Sequence, residues 1–167
     1  MIDITIDRKP FSVQEGTTVL EACRQAGINI PTLCYLEKIQ AIGACRVCLV
    51  EIDGIKDLVA SCVMPVSDEM KIHTNNRRVR EARKVVVELL LSEHEGDCQI
   101  CDRNEDCELQ NIARDLGIRE LRYEGEKAPR CQDESTVGLV RNSEKCISCR
   151  RCVTVCTQTQ TVSALFP

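Results

Sequence analysis

The chain has 167 residues, with 26 acidic against 22 basic side chains and a formal net charge of −4, a balance that gives no support for nucleic-acid binding. Thirteen cysteines accompany four aromatic rings, Phe11, Tyr35, Tyr123 and Phe166, and no Trp, so small modules held by a metal staple are expected. A secreted disulfide scaffold is disfavoured: the cysteine count is odd, the Cys-x2-Cys pairs are too close for ordinary disulfides, and MIDITIDRKP has no signal-peptide core. No apolar run reaches the length of a membrane span, so a protein of the reducing cytoplasm is expected.

Residues 1–76 read as a small α+β unit. Ile2, Ile4 and Ile6 alternate with Asp3, Thr5 and Asp7, the period of a half-buried strand, and Phe11-Ser12-Val13 is its expected partner. In TTVLEACRQAG, Thr17 or Thr18 caps a helix, Val19, Leu20, Cys23 and Ala26 form its apolar stripe, and Gly27 ends it. Cys23 on that stripe reads as core packing. Val47 to Ile52 lead into the turn dipeptide Asp53-Gly54, with Leu58 and Val59 starting a return strand, and Met70 to His73 form a last strand.

From Arg77 to Glu93 the period becomes helical, with Val79, Ala82, Val86, Leu89 and Leu90 expected inward, Val85 and Val87 widening that stripe, and the basic run RRVREARK as a solvated face. A second helix is expected over Glu108 to Leu116, which completes a domain at 77–121. Residues 122–135 are polar, contain a Gly and a Pro, and read as a linker. Residues 136–167 hold a last cysteine group.

Eleven cysteines and one histidine fall into three ligand-spaced groups. The first is Cys34-x10-Cys45-x2-Cys48-x13-Cys62. Its thiolates come from one loop and one neighbouring strand and can close around a [2Fe–2S] unit, with tetrahedral zinc as the structural alternative. The second is His94-x3-Cys98-x2-Cys101-x5-Cys107. Three thiolates and an imidazole complete four ligands for a [4Fe–4S] cube, and a zinc site of the same donors is the alternative. His73 has no cysteine nearby and reads as an ordinary polar residue. The third is Cys146-x2-Cys149-x2-Cys152-x3-Cys156, the run of bacterial ferredoxins. In such runs the fourth thiolate belongs to a neighbouring cube. Neither that cube's own ligands nor a downstream fourth ligand for the first follows in TQTQTVSALFP. Cys131 is an upstream candidate for the missing ligand.

This order of groups resembles the N-terminal electron-transfer region of [FeFe]-hydrogenases, above all the multimeric, NAD(P)-linked, electron-bifurcating ones. It is also similar to the large iron–sulfur subunit of NADH:quinone oxidoreductase and to the N-terminus of NAD-dependent formate dehydrogenases. The resemblance implies a β-grasp [2Fe–2S] domain, a small helical [4Fe–4S] domain and an incomplete bacterial-ferredoxin-like segment. It further implies [2Fe–2S] on Cys34, Cys45, Cys48 and Cys62, and [4Fe–4S] on His94, Cys98, Cys101 and Cys107. A further [4Fe–4S] would take Cys146, Cys149 and Cys152 and a fourth ligand from elsewhere, and Cys156 would reach a neighbouring cube. The implied partners are a flavin- and NAD(P)-binding iron–sulfur subunit, a catalytic hydrogenase domain or subunit carrying the H-cluster, and ferredoxin. No G-x-G-x-x-G or P-loop pattern occurs, so nucleotide binding is expected elsewhere, and this chain alone is expected to carry no catalytic centre. A zinc-stapled scaffold protein is the reading from another class.

Overall fold

A computed structural model describes residues 1–127 and 131–166. They form two compact units, residues 1–83 with 150–166, and residues 84–127 with 131–149. The architecture is α+β, as expected.

In the first unit, β1 (Ile2–Ile6) pairs antiparallel with β2 (Lys9–Val13), in the register Ile2 to Val13 and Ile6 to Lys9. The alternation in β1 turns Ile4 and Ile6 into the core and leaves Asp3 outside. β3 (Leu49–Ile52), β4 (Val59–Ala60) and β5 (Lys71–His73) complete a sheet of order β2-β1-β5-β3-β4, in which β1 and β5 run parallel and the other pairs antiparallel.

Helix α1 (Val19–Gln25) buries Val19, Leu20, Ala22 and Cys23 among core residues of that sheet. Its start is a reciprocal capping box: the Glu21 N–H donates to Thr18 Oγ1, and Glu21 Oε2 accepts from the Thr18 N–H at 3.0 Å. Its end is set by Gly27 at φ +75°, with the Ile28 N–H returning to the Cys23 carbonyl at 2.8 Å, a geometry that costs glycine no Cβ clash.

Helix α2 spans Arg77–Glu93, the range its period predicts. Its inward face differs from the expectation. Val79 and Val87 are buried as expected, but so are Arg83 and Glu88, whereas Leu89 is 48% exposed. Ala82, Val86 and Leu90 are half-buried. The basic run is therefore a solvated face at Arg77, Arg78 and Arg80 but not at Arg83, which donates two hydrogen bonds to the Leu49 carbonyl. A carbonyl acceptor on β3, invisible to periodicity, draws that side chain inward.

In the second unit, α3 (Glu108–Asp115) buries Leu109 and ends at Gly117 with φ +66°. Residues 132–135, expected as the end of a linker, belong to β6 (Gln132–Thr136), which pairs antiparallel with β7 (Leu139–Asn142) around Gly138. Both strands are exposed along nearly their whole length, so no apolar alternation marks them. Residues 128–130 of the expected linker lie outside the described residues. The last helix, α4 (Arg151–Thr154), passes into a wider turn over Val155–Thr159. Among the described residues no helix is long and apolar enough to cross a membrane.

Candidate iron–sulfur sites

The first ligand group is built by the β3–β4 pair and the loop before it. Leu49 opposite Ala60 brings Cys48, just before β3, beside Cys62, just after β4, and the Ser61 N–H donates to the Cys48 carbonyl at 3.1 Å. Cys34 and Cys45 enter from the loop that follows α1. That loop folds tightly through left-handed residues at Lys38, Gly43 and Arg46. A Cβ on Gly43 would meet Val63 Cγ2 at 3.3 Å, so this position has both a positive φ and little room.

The four sulfurs are buried, none more than 8% exposed, and arranged as two hydrogen-bonded pairs, Cys34 with Cys45 and Cys48 with Cys62. Sharing one proton per pair lowers one thiol and raises the other. The bond from Cys34 brings Cys45 down to about 5 despite burial. The bond from Cys62 likewise brings Cys48 down to about 6. Their partners Cys34 and Cys62 are pushed far up, first by those same bonds and then by burial. Backbone N–H groups face the sulfurs as well: Gly43 toward Cys62, Ala44 and Cys45 toward Cys34, and Val47 toward Cys45. Such donors stabilise negative charge on sulfur. Buried thiolate-forming pairs ringed by amides suit a [2Fe–2S] centre.

The second group lies where α2 ends. The His94 N–H reaches back to the Leu91 carbonyl at 3.2 Å, and the chain then turns through a short 3₁₀ segment, Cys98–Ile100. Cys101 closes that turn onto the Cys98 carbonyl at 3.3 Å, and Cys107 is the N-cap residue of α3. His94, Cys98, Cys101 and Cys107 line one cavity of about 110 Å³, with the cationic Arg103 and Lys145 also on its wall. All four residues singled out by spacing thus converge. Lys145 had no sequence signal beyond its charge, because nothing local links it to His94.

The third group is divided between the units, with Cys146 and Cys149 in the second and Cys152 and Cys156 in the first. Each half shows amide-to-sulfur geometry: the Ser148 N–H donates to Cys146 Sγ at 3.4 Å, and the Ala164 N–H donates to Cys156 Sγ at 3.3 Å. Helix α4, which carries Cys152, is tied to the first cysteine loop. Thr154 hydrogen-bonds Gln40, Gln40 Nε2 donates to the Cys34 carbonyl at 2.6 Å, and Arg151 donates to the Tyr35 carbonyl at 3.0 Å. Cys131 sits at the base of the β6–β7 hairpin opposite Ser143, three residues before Cys146, its N–H 3.2 Å from Ser143 Oγ.

The remaining candidates take ordinary roles. Burial pushes the Cys23 thiol up to about 12, as befits a packed neutral side chain. His73 bonds Asp53 Oδ1 at 2.8 Å. None of the thirteen cysteines is in a disulfide. Among the described residues, no three Cys, His, Asp or Glu side chains converge on one ion-sized point.

Comparison with known proteins places iron–sulfur domains over the first two groups. Residues 1–77 match a family described as a 2Fe-2S iron-sulfur cluster binding domain, and residues 83–122 match the NADH-ubiquinone oxidoreductase-G iron-sulfur binding region. The chain is 44% identical over 171 residues to the NADP-reducing hydrogenase subunit HndD of Solidesulfovibrio fructosivorans, covering 99% of this chain and 29% of that protein. It is 41% identical over 159 residues to the NADH-ubiquinone oxidoreductase 75 kDa subunit of Reclinomonas americana, covering 95% and 23%. A solved NAD+-reducing [NiFe]-hydrogenase in the H2-reduced state superposes with a TM-score of 0.92 at 29% identity, over 99% of this chain and 69% of that one. The chain thus spans less than a third of the length of these two curated relatives.

Proposed function

We infer that this chain, an iron–sulfur protein joining a [2Fe–2S] cluster binding domain to an iron–sulfur region of the NADH-ubiquinone oxidoreductase-G type, relays single electrons within an oxidoreductase complex. The observation that carries this reading is the convergence of His94, Cys98, Cys101 and Cys107 on one cavity. In this reading Cys34, Cys45, Cys48 and Cys62 hold [2Fe–2S], and the His94 group holds [4Fe–4S]. Cys146, Cys149 and Cys152 hold part of a further [4Fe–4S], and Cys156 serves a neighbouring cube.

Bound at these sites, the clusters supply reversible one-electron oxidation and reduction. The chain's own contribution is electrostatic and geometric. Burial of the first four cysteines excludes water, and the amides around them favour the thiolate forms. Lys145 and Arg103 place positive charge on the wall of the His94 cavity, and the Gln40 and Arg151 bonds fasten α4 to the first loop.

The electrons are proposed to pass between a flavin- or NAD(P)-binding partner, or ferredoxin, and the H-cluster of an [FeFe]-hydrogenase catalytic domain or subunit. Similarity to an NADP-reducing hydrogenase subunit across nearly the whole chain supports a hydrogenase as the parent. The NADH-ubiquinone oxidoreductase relative, nearly as similar, favours that kind of complex as the second reading.

Anaerobically purified protein is expected to contain iron with acid-labile sulfide and to give distinct [2Fe–2S] and [4Fe–4S] EPR signals on reduction with dithionite. Zinc without sulfide would establish the scaffold reading instead. Hydrogen-dependent NAD(P) reduction by the native complex containing this chain tests the hydrogenase parent; quinone-dependent NADH oxidation would replace it with the second reading.

A further inference from the structure

Arg83 is the one buried cation among the described residues. It sits one turn after the buried Val79 on the inward face of α2, and its Nε and Nη2 donate to the Leu49 carbonyl at 3.1 and 2.6 Å. Leu49 directly follows Cys48. Other arginines of the same helix have carboxylate partners, Arg77 with Glu81 at 2.7 Å and Arg78 with Glu51 at 2.6 Å. Arg83 forms no ion pair among the described residues.

A buried guanidinium without a counter-charge is costly, because two hydrogen bonds to one carbonyl replace only part of its hydration. The charged or ionisable groups acting on it are Cys48, Cys23 and Asp7. Cys23 is a neutral thiol at physiological pH. Asp7 has the smallest effect of the three and already accepts from the Thr74 N–H at 2.8 Å and the Thr74 hydroxyl at 2.5 Å. That leaves the Cys48 sulfur. A [2Fe–2S] centre on four thiolates is doubly negative when oxidised and one charge more negative when reduced, which supplies the missing counter-charge.

We propose that Arg83 is the positioning residue that sets the reduction potential of the first cluster, its fixed positive charge beside Cys48 favouring the reduced form. The proposal rests on the [2Fe–2S] reading given above. The electron comes from the reduced flavin partner or a chemical reductant; no bond is made or broken and no proton is taken up. The Leu49 hydrogen bonds hold the guanidinium at this depth, where salt screens it little.

The test is an EPR-monitored redox titration of the [2Fe–2S] signal in the intact chain. Arg83→Gln is expected to weaken electron affinity about tenfold, a shift of about 59 mV to more negative potential. Arg83→Lys, which keeps the charge, should stay within about threefold of the wild type. Arg77→Gln removes a charge of the same sign from an exposed site on the same helix and should change it less than about twofold, because solvent screens it. An Arg83→Gln potential within about twofold of wild type overturns the proposal while leaving the cluster reading intact. Should Arg83→Gln not assemble, Arg83→Met is titrated against Arg83→Lys, and equal potentials in that pair overturn it. A wild-type protein without the [2Fe–2S] signal overturns both the proposal and the reading beneath it.

Discussion

Replacing His94 with alanine is expected to remove or strongly perturb one [4Fe–4S] EPR signal while the [2Fe–2S] signal persists. His94 is fixed by the last turn of α2 and faces a cavity shared with Cys98, Cys101 and Cys107. Alanine leaves that cavity with three of the four donors that a cube's irons require, so water or solutes would fill the vacancy and about four irons per chain should become labile. The first group draws its sulfurs from a separate loop and strand pair, so its signal should be untouched. His94→Cys offers a rescue with a signature. A thiolate ligand brings a negative charge that an imidazole ligand does not, so the signal should return at a more negative potential. Unchanged spectra in His94→Ala would reduce His94 to an ordinary residue at a helix end.

The second large effect is expected from Arg122→Ala. Glu88 is 1% exposed on α2, and Arg122 meets its Oε2 through Nε at 2.8 Å and Nη2 at 2.5 Å. Removing the arginine strands a buried carboxylate, which is worse than never having had the pair. Arg122 is itself half exposed, so solvent screens part of the interaction, and the expected loss is a fall of several degrees in the thermal midpoint rather than failure to fold. The segment after Arg122 also lies close on α2: a Cβ on Gly125 would stand 2.6 Å from Ser92 Oγ. Because this strap braces the turns that deliver His94, the variant should lose its [4Fe–4S] signal faster than the wild type on warming. Thermal melts of Arg122→Ala and of the double variant Glu88→Leu/Arg122→Leu check the argument. The double variant should recover most of the loss, and equal losses in the two would show that the stranded charge is not the cause.

Local signals in the sequence are legible where one face meets the core. Ile4 and Ile6 alternate in β1, Thr18 with Glu21 forms the capping box, and the period of α2 gives its bounds. The parallel pairing of β1 with β5 is not legible, since it joins residues as distant as Thr5 and Lys71 with nothing local to mark it. The hairpin of β6 and β7 escapes because β6 is wholly polar and both strands are exposed, so binary patterning carries no period there. Arg83 and Leu89 exchange the roles expected of them. The preference of a side chain for a carbonyl on another strand is a tertiary fact, and it overrides the hydropathy of one helix. Ligand spacing proves more legible than burial: chelate geometry is local for Cys98 and Cys101 and nearly so for His94 and Cys107. The depth of the first group, and cations such as Arg83 and Lys145, come from distant segments.

The unequal burial of the three groups sets an order of damage in air. Cys34, Cys45, Cys48 and Cys62 lie under the surface, whereas Cys98, Cys146 and Cys152 stand in the open. Dioxygen and chelators must wait for local opening of the first unit to reach its sulfurs, but they meet the others directly. An aerated sample should therefore lose its [4Fe–4S] absorption first and retain a one-electron [2Fe–2S] remnant. Such a remnant can still accept charge yet has nowhere to pass it, so oxidative injury would interrupt the proposed relay before it unfolds the first unit.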